Sequence, residues 1–446
     1  TLVEESVVNQ YHIAGILPPM RAIDEGLVGN YLNDPLTGLP PDKDYELSEY
    51  SSGLQLDYVA PPSIGVSAGG PYGGGIQGGV ALFFSDMLGN HNLGVVVQAN
   101  GTFKDIGAQV QYINRGHRFN YGGSVGHIPI LFGGYLAPTI EVDPETGVLS
   151  EVFGQIRQRI YIDQIGGIAS YPFTTTRRLE FGLGFTRYGF DYEVDRYFVN
   201  QFGVRRERTD LNELEPDPVY YGTASVAFVS DYSFFAFTSP VRGGRSRFEV
   251  TPFYGSQTYV RLLADLRHYF YFKPFTFAIR GLHVGNYGVS DSQDDQLFTS
   301  EYLGFSNGRS FIRGYGFGTF DGRDCIGTIE QCLAEQDRLI GSRVALASVE
   351  LRVPLLGNSA YGLLEFPYLP TEVAFFVDGG VSWTKSDLPV LEWTTDPTAE
   401  RIPVFSAGVS TRFNLFGYTV LEIFYAKPFQ RPGKGAHFGF QIVPGW

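Results

Sequence analysis

The chain is poor in several things. Of 446 residues only two are methionine and two cysteine, charged side chains make up 18%, and 33 basic residues face 47 acidic ones for a formal net charge of −14. A deficit of cations argues against nucleic acid or anionic lipid heads as a main ligand, since both are recognised through a basic footprint. No stretch approaches 18 consecutive apolar residues, so no transmembrane helix is expected. The start, Thr1-Leu2-Val3-Glu4-Glu5, lacks the basic residues and apolar core of a signal peptide and reads as already processed.

Catalytic signals are missing as well. The seven histidines (12, 91, 117, 127, 268, 283 and 437) are scattered without metal-ligand spacing. Gly73-Gly74-Gly75 is not followed by Lys-Ser/Thr, which rejects a phosphate loop. Neither a Ser/His/Asp elbow nor a carboxylate pair suggests hydrolysis, so no enzyme activity, cofactor or metal is expected. Asp291, Asp294 and Asp295 could reach a Ca²⁺ ion, but their spacing is not an EF-hand and a solvated acidic loop is the simpler reading. Cys325 and Cys332, seven apart in a polar stretch, fit a disulfide closing a short loop better than a metal pair, which points outside the cytosol.

What is abundant is glycine (56) together with phenylalanine (37) and tyrosine (28), the composition of an aromatic β chain. Residues 1–53, with Pro18, Pro19, Pro35, Pro40 and Pro41 among acidic residues, show no sustained period and read as a linker or periplasmic arm. From Leu54 to Trp446 the sequence alternates. Ala345, Ala347, Val349, Leu351 and Val353 fall on one face against Ser348, Glu350 and Arg352; Val373, Phe375, Val377 and Val381 oppose Glu372, Asp378 and Ser382; Phe405, Ala407, Val409 and Phe413 oppose Ser406, Ser410 and Arg412. A soluble sandwich also alternates. Here both signs of charge recur at mid-strand, and the apolar faces carry aromatics near strand ends (Tyr58, Trp383, Phe413, Tyr425, Phe438), as in a lipid-facing band with aromatic girdles.

The fold expected is all-β: a transmembrane antiparallel β-barrel over 54–446, closed because hydrocarbon tolerates no open edge. At about 24 or 25 residues per strand and connection its length corresponds to 16 strands. They are read near 54–60, 76–85, 93–103, 105–115, 118–127, 151–168, 177–198, 218–230, 245–255, 257–272, 273–287, 342–353, 371–384, 402–413, 417–427 and 435–446. The long acidic connections 128–150, 199–217, 288–341 and 385–401 then share the outer side, and tight turns such as Asn414 to Gly417 the periplasmic side.

The longest connection, 288–341, contains Ser310-Phe311-Ile312-Arg313-Gly314-Tyr315-Gly316. Ile312-Arg313-Gly314-Tyr315 resembles the V-R-G-F/Y signature of the BamA superfamily of outer-membrane insertases and translocators. Three further landmarks follow in that family's order: Ser348 to Pro354 resembles its E-x-R-x-P strand, Ala374 to Gly380 its F-x-D-x-G strand, and Ala407 to Arg412 with Tyr425 to Phe429 its final strands. The resemblance implies that the loop between strands eleven and twelve folds into the lumen and that Arg313 meets acidic residues on strands twelve and thirteen. Parity independently puts Glu350 and Asp378 on the inward face, where one guanidinium can bridge two carboxylates. Gly314 and Gly316 would allow a sharp tip.

The resemblance also implies an outer-membrane location in a Gram-negative-type bacterium, with lipid and lipopolysaccharide around the wall, a protein client, and a periplasmic domain or subunit. Members of the family usually carry POTRA domains before the barrel; residues 1–53 are too short and proline-rich for one. Phe84 to His91 resembles a turn in barrels that follow a TolB-like propeller, so the chain could be the barrel end of a longer precursor. A seam is expected between the first strand (Leu56, Tyr58) and the last (Phe438, Phe440, Ile442, Trp446), because glycines follow the first and Pro444-Gly445 ends the last. In the family this seam is the proposed lateral gate for β-augmentation by a client. A structural subunit without transport, or a passive solute pore, are the competing readings.

Overall fold

The computed structural model describes residue 50 and residues 53–443, apart from 61–62, 68–74, 101–102, 290–298, 305–311, 317–318, 321–336, 359–360, 395–400 and the single positions 202, 212, 214, 237, 367, 416, 418 and 432. The arm 1–49, Cys325, Cys332, the three loop aspartates and Trp446 therefore lie outside the described residues.

The strands are β1 (Gln55–Val59), β2 (Ser63–Ser67), β3 (Gly75–Ser85), β4 (His91–Asn100), β5 (Ile106–Asn114), β6 (Asn120–Val142), β7 (Leu149–Pro172), β8 (Arg177–Asn200), β9 (Gly203–Asp210), β10 (Val219–Asp231), β11 (Phe234–Phe235), β12 (Pro240–Gly255), β13 (Tyr259–Phe272), β14 (Phe275–Tyr287), β15 (Glu301–Tyr302), β16 (Ile340–Gly341), β17 (Arg343–Gly357), β18 (Leu364–Glu365), β19 (Thr371–Trp383), β20 (Val404–Leu415), β21 (Thr419–Pro428) and β22 (His437–Val443). Both β1 and β2 pair with β3. From there each long strand pairs antiparallel with the next, through β8, β10, β12, β13, β14, β17, β19, β20 and β21 to β22. Among the described residues β22 forms no ladder with β1 or β2.

The two faces of this sheet invert the rule for a soluble protein. On β19 Phe375 and Val377 are 53% and 52% exposed while Asp378, one residue on, is 1% exposed. Val349 and Leu351 on β17, Val409 on β20 and Tyr425 on β21 are likewise open, whereas Glu350, Arg352, Arg412 and Glu422 are buried. Water would drive the arrangement the other way, because burying a charge is far more costly than burying a methyl group. An apolar face turned outward and a charged face turned inward suit a wall standing in lipid.

Two connections differ from expectation. Residues 128–150 are mostly strand: β6 runs on to Val142 and β7 begins at Leu149, leaving a turn that closes through Asp143 and Val148. Ile128 to Phe132 is apolar on both faces and contains Pro129, which hides the period of two. Proline is tolerated there because β5 pairs with β6 only as far as His127, so beyond it β6 is an edge that needs no amide on that side. Residues 199–217 contain β9, which folds back along the end of β8. Strands of 23 and 24 residues exceed the 9–11 or so needed to cross a bilayer, so β6, β7 and β8 extend beyond it.

Val377 sits mid-strand on the apolar face. Val377→Arg should lower unfolding free energy in vesicles by about 2–4 kcal/mol, read from a guanidinium titration; an unchanged midpoint would contradict a lipid-facing position.

Candidate functional site

The loop between β14 and β17 brings Arg313 onto the buried polar face. Its Nε donates to Asp378 Oδ2 at 2.7 Å and Nη2 to Asp378 Oδ1 at 2.8 Å, a two-pronged bond, and its backbone amide reaches Asp378 Oδ2 at 3.3 Å. Nη1 lies 2.8 Å from Glu350 Oε1 and 3.0 Å from Glu422 Oε1. The guanidinium carbon stands 3.5 Å from the centre of the Phe376 ring, so a cation–π contact covers the face that the carboxylates leave open.

These partners converge through register. Asp378 pairs opposite Ser348 on β17, whose hydroxyl donates to it, and Arg412 lies opposite both Glu372 on β19 and Glu422 on β21. Arg412 Nη2 donates to Glu350 at 2.8 Å and to Glu422 at 3.2 Å, and Nη1 to Glu372 at 3.2 Å. Arg352 Nε donates to Glu350 Oε2 at 2.8 Å, and Ser239 donates to Glu372 at 2.9 Å. Three guanidiniums thus meet four carboxylates, all buried. Burial alone would loosen the proton on Arg313, but Asp378 and Glu350 outweigh it and hold the group above the ordinary arginine range.

Around Arg313 the loop tip is seated by shape. Ile312 is fully buried among Leu303, Leu339, Val344, Leu346 and Val404. A Cβ on Gly380 would come within 2.9 Å of Ile312 Cδ1 and 3.0 Å of Leu303 Cδ1, so the wall's missing side chain makes the socket. Gly314 has φ +90°, a conformation that L side chains rarely adopt. The Tyr315 hydroxyl accepts from the Gln430 amide at 3.0 Å, and Arg431 Nη1 donates to Gly314 O at 2.7 Å.

Arg313, Gly314, Tyr315, Glu350 and Asp378, singled out in the sequence, lie at one place. Glu422, Arg412, Arg352 and Glu372 complete the cluster and were not singled out as members; their signal was the same alternation, since Val420, Glu422, Phe424 and Ala426 share one face of β21. Of the seam residues, Leu56 and Tyr58 on β1 and Phe438, Phe440 and Ile442 on β22 are exposed, and the two groups share no ladder.

The family profile described as the Omp85 superfamily domain matches residues 164–445. The chain belongs to the Omp85 superfamily. Solved structures similar to it include BamA from Haemophilus ducreyi lacking POTRA domains 1–3, at 14% identity and TM-score 0.47 over 88% of this chain and 71% of that one. They also include CdiB from Acinetobacter baumannii (13%, 0.44, covering 88% and 65%) and CdiB from Escherichia coli (11%, 0.42, covering 82% and 58%). This chain therefore spans less than two thirds of either CdiB structure. No curated protein matches it.

This Omp85 chain is an outer-membrane β-barrel protein of the Gram-negative type. Its exposed apolar face is then the lipid side, and the Arg313 cluster faces away from lipid. Removing one partner of a desolvated cluster typically costs about 3–5 kcal/mol. Arg313→Ala should accordingly lower the temperature of the heat-dependent gel shift. Gly380→Leu changes no charge but fills the Ile312 socket, and should expose loop 288–341 to added protease. A wild-type transition and digestion pattern in both variants would contradict the seated loop.

Proposed function

We propose that this chain inserts or translocates polypeptides at the outer membrane. Counting β1 and β2 as one broken stave gives sixteen positions in the order of pairing. The wall closes at a weak seam between that stave and β22, and loop 288–341 plugs the lumen, locked through Arg313 to Glu350, Asp378 and Glu422. The observation that carries this reading is that β22 pairs with β21 alone among the described residues. β22 bonds β21 on one edge, and its other edge is a row of backbone donors and acceptors, the template that an extended client strand can complete. Membership of the Omp85 superfamily supports a client, and a periplasmic domain or subunit could deliver it. A passive pore is the weaker reading, because the polar face from β17 to β21 is filled by paired charges and by the loop tip rather than left to water.

The test uses the full chain in proteoliposomes with a urea-unfolded eight-stranded barrel as client. The chain should speed appearance of the client's folded gel mobility. In a Cys325→Ser/Cys332→Ser background, a disulfide between Leu56→Cys and Phe440→Cys should abolish that effect, and reduction should restore it. No acceleration by the uncrosslinked chain would overturn the insertase reading; acceleration that survives the crosslink would remove the seam.

A further inference from the structure

On β6, β7 and β8 the lipid-facing side is interrupted by charge. Val125 on β6, Ile165 on β7 and Phe185 on β8 are exposed apolar residues, and two positions along each strand, on the same face, come His127, Asp163 and Arg187. The three are neighbours by register, His127 opposite Asp163 and Asp163 opposite Arg187. His127 Nδ1 lies 2.5 Å from Asp163 Oδ1, and Arg187 Nη1 donates to Asp163 Oδ2 at 2.8 Å. The His127 ring stacks on Tyr161 with centroids 5.5 Å apart, and Arg187 lies opposite Tyr220 in the ladder. All three side chains are between a third and a half exposed, so this is a surface feature rather than a buried network.

Ions on this side have one suitable depth, the level where hydrocarbon gives way to headgroups. Tyr171, at the other end of β7 on the same face, is eight residues from Asp163. That is roughly 26 Å along the strand, or about 20 Å across the bilayer at a tilt near 40°, close to the ~25 Å apolar band of such barrels. Below the triad runs a groove of about 490 Å³ lined by Ala108, Val110, Val125, Ile165 and Phe185. At Ile165 it meets a second groove of about 540 Å³, where Gly167, Gly222 and Ala224 leave space between Leu183 and Tyr254. Small residues on a lipid-facing wall make room for something that is itself apolar.

We propose that this is a binding site for a phosphorylated lipid of the outer leaflet, its acyl chains in the two grooves and its phosphate on His127 and Arg187. Asp163 turns one oxygen to His127 and the other to Arg187 and so fixes both, while His127 Nε2 has no partner among the described residues. The acidic balance of the whole chain excludes a broad basic footprint, but this site is local. It also selects the source of the phosphate: a net charge of −14 repels a soluble anion, whereas a lipid phosphate is held at this depth by its own chains. The proposal is independent of whether the barrel handles a client.

Native mass spectrometry of the full chain in detergent tests it, with diphosphoryl lipid A and the same lipid after dephosphorylation as probes. The wild type should retain the diphosphoryl form about tenfold better. His127→Gln/Arg187→Gln should lose that preference while still holding both lipids weakly, and Ala108→Trp, which fills the groove, should lose retention of both. Equal retention of the two lipids by the wild type, or a preference that survives the double variant, would overturn the site. Displacement of the lipid by millimolar inorganic phosphate would overturn the lipid assignment, since the head alone would then suffice. If the double variant does not reach folded gel mobility, Ala108→Trp, which removes no charge, decides the matter.

Discussion

Hydrocarbon accepts neither an unpaired peptide group nor a lone charge, and the architecture follows from that constraint. Backbone groups are satisfied between neighbouring strands from β3 to β22, so the chain becomes one long ladder, with the second edge of β22 joined to no strand among the described residues. Apolar side chains take the face toward lipid, so Glu350, Arg352, Glu372, Asp378, Arg412 and Glu422 are pushed to the other face, where there is little water. There the charges must solvate each other. Arg352 and Arg412 with Glu350, Glu372, Asp378 and Glu422 leave the wall with more carboxylates than guanidiniums, and Arg313 supplies a third cation from a loop. The loop is bound because the wall without it is electrostatically incomplete.

That dependence links distant parts of the chain. The loop tip is held by the Ile312 socket, the Arg313 guanidinium, the Tyr315 hydroxyl and Arg431 on the Gly314 carbonyl. The cluster also reaches the last strand: Gln441 on β22 donates to Glu422 Oε2 at 2.7 Å, and Glu422 accepts from Arg313 on its other oxygen. A movement of β22 therefore bears on the residue that anchors the loop, with a single carboxylate between them.

How much of this was legible in the sequence depended on whether a period of two was intact. Where it was, as over 343–353 and 371–383, strand and face could be read directly, including the inward side of Glu350 and Asp378. Placing Arg313 beside them needed the resemblance of Ile312 to Tyr315, because no periodicity fixes where a loop tip lands. The alternation failed at Ile128 to Phe132, apolar on both faces, and so the extension of β6 was read as loop. Of the triad, His127 ends the strand expected over 118–127, whereas Asp163 and Arg187 fall inside the strands expected over 151–168 and 177–198; what periodicity leaves open is the register that brings the three together.

Everything rests on which face of each strand meets lipid, and a spin-label scan in vesicles measures that directly. β14 is suitable because it borders the wall around the cluster without contributing a carboxylate to it. Labels placed singly from Phe275 to Val284 should show oxygen accessibility alternating with a period of two, high at positions 275, 277 and 279 and low at 276, 278 and 282. A profile without alternation, or one with its maxima at positions 276, 278 and 282, would contradict the account.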